Sequence, residues 1–240
     1  MNAQVEVRKY YAVWTVSLAR PEKRNALSAQ LVEDLIDVVT RAPLEGAKVL
    51  VLRGEGKCFS AGFDFSDVEA QSAGDLLLRF VRIETLLQRV AQSACLTVAL
   101  THGRNFGAGV DLAAACRWRV ATADTTYRMP GLKFGLLLGT RRFADIVGAA
   151  TAGSILQEAA TFDAARALKI GFAQQIAETA QWDEIIARAK AQAAELDDAS
   201  RAALYGALLP QRGDSDLALL VRSAAEPGLK QRIANYLGAV

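Results

Sequence analysis

Two stretches of this chain end an apolar run in a turn of small residues. They are VLVLRGEGKCFSAGFDF, Val49 to Phe65, and LTVALTHGRNFGAGVDL, Leu96 to Leu112. In each, a run of strand-forming residues (Val49 to Arg53, Leu96 to Thr101) delivers the backbone into glycines and alanines that start a helix or a tight turn. Small side chains there let a ligand approach the main chain, and N–H groups left unpaired at such points can donate to it. Two such loops side by side can aim two donors at one oxygen, the geometry of an oxyanion hole. Either turn taken alone is explained by backbone conformation.

Length and composition exclude several classes. At 240 residues, 52% of them apolar, the chain can bury a substantial core. It has no apolar run of about eighteen residues, so no transmembrane helix is expected. The opening MNAQVEVRKYYAVW carries charges where a signal peptide needs an apolar stretch, so the expected location is cytoplasmic. A net charge of +2 without a long basic run argues against nucleic-acid and membrane partners. Cys58, Cys95 and Cys116 have no metal-site spacing and read as buried thiols in a reducing compartment. One histidine and no ligand cluster argue against a bound metal.

The elements that must position the two turns follow from periodicity. Val5 to Lys9 and Tyr11 to Leu18 read as paired strands. Ser28 to Arg41 and Asp75 to Gln92 read as helices with one greasy face. Lys48 to Arg53, Leu96 to Thr101 and Arg117 to Thr122 read as further strands, and Val110 to Cys116 as a short helix. Ser66 to Gly74 is small and polar, a candidate mobile loop. Past Arg141 an alanine-rich helical pattern dominates, broken near Gln174 to Ala177 and Pro210 to Gly213. Strands alternating with helices, then helices alone, predict an α/β core over residues 1–180 and a helical region over 181–240.

RPEKRNAL (Arg20 to Leu27), FSAGFDF (Phe59 to Phe65), HGRNFGAGVDL (His102 to Leu112) and YRMPGLKFG (Tyr127 to Gly135) occur in an order and spacing that resemble the crotonase, or enoyl-CoA hydratase/isomerase, superfamily. FADIVG and FDAARALKIGFAQQIA resemble its later helices, and the likeness runs from about Val13 to Ile176. The resemblance implies a spiral of β-β-α units, as in the ClpP-like folds, with helices that pack into a homotrimer or dimer of trimers. It implies an acyl-CoA substrate, with coenzyme A as part of that substrate and no permanently bound cofactor. The oxyanion donors would be the N–H groups of Phe63 and Ala108, the latter replacing the middle of a Gly-Gly-Gly triplet. Ala61, Gly62, Asp64, Phe65 and Gly107 would surround the thioester, and Arg24 and Ala26 would face CoA, with Lys23 beside them and Lys230 as a distant helper.

Of the two carboxylates that hydratases of the family use, the first position is Asp111 and the second is Gly131. Addition of water needs a held water and a proton delivered to carbon, which one aspartate serves poorly. Isomerisation, decarboxylation, thioester hydrolysis and binding without turnover therefore stand beside hydration. Asp67, Glu69, Asp75 and Asp145 are candidate replacement acids but read as solvated groups. His102 reads as a structural partner beneath the loop, and Arg141 or Arg142 as either an anion contact or a salt bridge. Gly103-x-x-x-Gly107-x-Gly109 resembles a dinucleotide turn, but it lies past residue 100 and no Tyr-x-x-x-Lys follows, so that reading is rejected.

Overall fold

The computed structural model describes residues 4–210 and 212–238. Its main sheet has six strands in the order β1 (Val5–Tyr10), β2 (Val13–Leu18), β3 (Val49–Gly54), β4 (Leu96–Thr101), β6 (Trp118–Ala121), β9 (Gln175–Ile176). Only β1 runs antiparallel. A smaller sheet joins β5 (Arg104–Phe106), β7 (Thr126–Arg128) and β8 (Phe162–Asp163). The excursions between main-sheet strands and the small sheet form the spiral of β-β-α units of the crotonase fold, completed by C-terminal helices.

Both faces of the main sheet are covered, which explains the unbroken apolar runs in β3 and β4. Leu50, Leu52 and Ala99 face the large core under α1 (Ala29–Leu44), α2 (Ala73–Gln92) and α3 (Ala108–Ala115). Val49, Val51, Val98 and Leu100 face the other way and meet Trp182, Ile185 and Ala189 of α7 (Trp182–Ala194). α4 (Thr140–Val147) and α5 (Ala149–Glu158) lie between β7 and β8, α6 (Ala164–Lys169) follows β8, and α8 (Asp198–Leu208), α9 (Gly213–Ala225) and α10 (Leu229–Gly238) close the chain. α9 packs on α2, and α10 reaches the 3-10 turn Gly131–Phe134. Among the described residues no helix is long and apolar enough to cross a membrane.

Two differences from the sequence reading bear on the site. The Ser66 to Gly74 segment contains a 3-10 turn, Val68–Ala70, anchored by buried Val68. It ends in a capping box in which Ser72 and Asp75 exchange hydrogen bonds. The short helix α3 starts at Ala108, two residues earlier than its apolar run suggests, because Gly107 takes φ +46° and serves as its cap. That earlier start makes Ala108 the first helical residue.

Candidate active site

Both glycine turns are held by buried amide side chains. Asn25, itself left-handed at φ 53°, donates to the carbonyls of Glu55 (2.8 Å) and Cys58 (2.9 Å). Ser60 Oγ donates to the Asn25 carbonyl (2.8 Å) and accepts from Gly62 N–H (3.1 Å). Asn105 accepts from Ser60 N–H (3.2 Å) and donates back to the carbonyls of His102 (3.3 Å) and Gly103 (3.1 Å). Backbone bonds from Phe59 N–H to the His102 carbonyl (3.1 Å) and from Phe106 N–H to the Ser60 carbonyl (3.2 Å) complete the seam. The two turns are one construction.

At the meeting point the space admits only glycine. Gly62 has φ +81°, and a Cβ there would strike the Phe106 carbonyl and lie 3.2 Å from the Ala108 nitrogen. Leu27 pairs with this segment like a short parallel strand: its N–H donates to the Gly62 carbonyl (2.7 Å) and its carbonyl accepts from Asp64 N–H (3.4 Å). The Phe63 N–H between those two groups therefore points away from Leu27. Ala108 N–H opens α3 and has no intrahelical acceptor. Among the described residues neither amide has a hydrogen-bond partner. The Phe63 ring is clamped by Phe80, stacked at 4.5 Å, and by the Arg79 guanidinium at 4.1 Å. Arg79 also donates to the Asp64 carbonyl (2.9 Å), so the clamp holds the backbone as well as the ring.

These turns bound a cavity of about 280 Å³. Ala61, Phe63, Phe65, Gly107 and Ala108 form one wall; Met129, Gly131, Phe134, Leu136 and Leu138 form another; Tyr236 and Leu237 of α10 add to the lining. Asp111 contributes the one carboxyl group among the described lining residues. It is 3% exposed, and its Oδ1 has no hydrogen-bond partner. Oδ1 lies against Gly139, the left-handed residue that precedes α4, where a Cβ would overlap the carboxyl group. Burial holds the Asp111 carboxyl well above the usual carboxylate range; Arg142 pulls it partly back and Glu84 pushes it further up. A proton at Asp111 is thus retained where an exposed aspartate would have lost it. Gly131 lines the cavity with no carboxylate, and a Cβ there would come within 3.1 Å of the Leu136 carbonyl.

The remaining candidates fall outside the cavity wall. Asp64 is tied to Arg20 at 2.9 Å and accepts from Ser66 N–H at 3.0 Å. Burial alone would raise its carboxyl, but the Ser66 and Arg20 bonds outweigh burial and hold it below the usual range. It shapes the turn. The Ala26 carbonyl accepts from Arg20 (2.6 Å), whereas Arg24 and Lys23 point exposed side chains from the same corner. His102 Nε2 bonds to the Gly56 carbonyl at 3.0 Å beneath the loop. Arg141 pairs with Asp216 at 3.0 Å, Arg142 with Glu84 at 3.1 Å, and Asp145 with Arg212. Asp67 and Glu69 are exposed, and Lys230 donates to the Glu69 carbonyl at 2.9 Å.

Asn25, Asn105, Arg79 and Glu84 were not singled out by sequence reasoning. Glu84 did carry a signal: it falls four residues after Phe80, on the greasy stripe of α2, where a carboxylate requires a partner. Asn25 adjoins Arg24 in a left-handed pair, a conformation asparagine tolerates well.

Known proteins supply the last observation. The profile of the family described as enoyl-CoA hydratase/isomerase matches residues 8–211. A Bordetella parapertussis crystal structure described as an enoyl-CoA hydratase/isomerase is 58% identical, covering 98% of this chain and 99% of that one, with a TM-score of 0.97. A Mycobacterium bovis protein named as an enoyl-CoA hydratase is 36% identical over 184 residues, 74% of this chain and 73% of its own length. A Thermobifida fusca enoyl-CoA hydratase structure with acetoacetyl-CoA bound shares the fold: it is 24% identical, covers 99% of this chain and 96% of its own, and has a TM-score of 0.78. With its paired glycine turns, its spiral fold and this match over most of its length, the chain belongs to the enoyl-CoA hydratase/isomerase family.

Proposed function

We propose that this protein isomerises enoyl-CoA thioesters through an enolate. The thioester oxygen accepts from the Phe63 and Ala108 amides, and Asp111 carries the proton. The observation behind this reading is the pair of unpartnered N–H groups over a cavity with one carboxyl group. Removing a proton from the α-carbon of a 3-enoyl thioester puts negative charge on the carbonyl oxygen. One well-placed donor to such an oxygen is worth about 3–4 kcal/mol. Returning the proton to the γ-carbon leaves the conjugated 2-enoyl thioester, and a single carboxyl group can perform both transfers. Hydration asks for a second group, and at that position Gly131 supplies none.

The apolar walls suit an acyl chain, and exposed Arg24 and Lys23 at the neighbouring corner suit CoA phosphates. Family likeness further suggests a cytoplasmic homotrimer or dimer of trimers, for which Leu208 of α8, 72% exposed, offers apolar surface to a second copy.

Decarboxylation is the second reading, favoured by one observation. A carboxyl group that retains its proton is ready to protonate the carbon from which CO₂ has left. The two readings differ in pH dependence. Isomerisation needs the ionised Asp111 and speeds up as pH rises through its raised midpoint; decarboxylation needs the neutral form and slows. The test is incubation in D₂O with 3-enoyl-, 2-enoyl- and malonyl-type CoA thioesters. Conversion of the 3-enoyl to the 2-enoyl thioester is expected, with less than one solvent deuterium at the γ-carbon because Asp111 returns the proton it took. CO₂ from the malonyl type, release of free CoA, or tight binding with no product would each overturn isomerisation.

A further inference from the structure

Behind the cavity wall, Asp111 feels a part-buried cation, Arg142, that is already engaged. Glu84 of α2 is 1% exposed and binds the Arg142 guanidinium through Nη2 at 3.1 Å. The same Glu84 oxygen accepts from Gln88 at 3.1 Å. Arg142 Nη1 is buried with no partner, as is Asp111 Oδ1, yet Arg142 makes no ion pair with Asp111. Asp111 Oδ1 packs on Gly139, three residues before Arg142 in the chain. Two orphaned atoms of opposite character thus flank the start of α4, while the bond between them is made elsewhere.

The other charged or titratable groups around this corner are accounted for. Arg141 of α4 is turned to Asp216 of α9. Tyr236 of α10 lines the cavity, and β5 supplies only Arg104, which is exposed. Glu84 and Arg142 are the charges that act on Asp111.

We propose that Glu84 and Arg142 are positioning residues for proton transfer: by claiming the guanidinium, Glu84 keeps Asp111 a reversible proton carrier instead of the fixed anion of a salt bridge. An aspartate paired with arginine is ionised throughout the neutral range and too weak a base to take a proton from carbon. With the arginine drawn off and no protein group bonded to Oδ1, the carboxyl group binds and releases its proton nearer the working pH. This inference rests on the role proposed for Asp111, but its test can be read without turnover.

The experiment titrates the carboxyl carbon of Asp111 by NMR in ¹³C-aspartate-labelled protein without substrate, assigned by its loss in Asp111→Asn. Glu84→Gln, which retains a hydrogen bond to Arg142, should lower the Asp111 midpoint by about one pH unit or more. Arg142→Gln should raise it, and decides the matter alone if Glu84→Gln fails to fold. The pH dependence of turnover, whatever its direction, should move by the same amounts. Unmoved midpoints in folded variants would overturn the inference. Midpoints that move as expected in a protein without enolate chemistry would overturn the proposed function and leave this inference standing.

Discussion

The two sides of the cavity are built on opposite terms. The side that would hold the thioester oxygen is made of backbone. Its turns are sewn together by Asn25, Ser60 and Asn105, whose side chains bond to main-chain groups on both strands of the seam, leaving two amides over. The side that would move the proton is made of side chains and is under-satisfied: Asp111 Oδ1 and Arg142 Nη1 are buried without partners, and Gly131 brings no side chain to the wall. Buried polar groups without partners are costly, about 1–3 kcal/mol each, so such groups mark places where stability has been traded for another property. Here the rigid half is common to any reaction that passes through an enolate. On the proposed function, the under-satisfied half would select among such reactions.

The largest expected effect breaks the under-satisfied half. Asp111→Asn should lower turnover by about 10²–10⁴-fold, the usual size of a general acid–base contribution, while the protein stays folded. It should also change the dependence of stability on pH. The folded state holds the Asp111 proton more tightly than the unfolded chain does. The wild type therefore loses stability as pH rises from the ordinary carboxylate range to Asp111's raised midpoint, and Asp111→Asn does not. Thermal melts of both proteins across that window check the sign. A variant of unchanged rate would remove Asp111 from the chemistry.

Next in size, Ala108→Pro breaks the backbone half. Proline is well tolerated at the first helical position, so α3 should survive while one donor disappears. Turnover should fall by about 10²–10³-fold with little change in melting temperature. Normal turnover in the folded variant would mean that this amide does not touch the oxygen.

The sequence made the backbone half readable because its constraints are glycines. Gly62 and Gly107 have positive φ, and Gly62 and Gly109 leave no room for a Cβ, so residue type reports geometry directly. The longer strands of the main sheet and the amphipathic helices α1 and α2 were equally plain, since apolar runs and 3.6-residue patterns follow from which face is covered. By contrast β5, β7, β8 and β9, two or three residues each, were not assigned from the sequence. What remained hidden depends on contacts between distant segments. The seam at Asn105 joins residues 45 apart, and the pairing of Glu84 with Arg142 joins residues 58 apart. The start of α3 at Ala108 depended on the Gly107 cap, which an apolar count cannot see.

A smaller effect sharpens the comparison. Asn105→Ala leaves Ser60 N–H without its buried partner and takes one of two donors from each of the His102 and Gly103 carbonyls, which keep Phe59 N–H and Thr126 N–H, and should cost about 1–3 kcal/mol of stability. Because the seam supports both amides, kcat should fall while the Asp111 midpoint stays put; a shifted midpoint would show that the two halves are not separable.

Enolate chemistry at this site requires the thioester oxygen to sit between the two amides. A crystal structure with a non-hydrolysable acyl-CoA analogue should place that oxygen about 2.7–3.1 Å from both the Phe63 and Ala108 nitrogens, with the α-carbon beside Asp111. An analogue seated elsewhere, or an oxygen reaching neither amide, would contradict it.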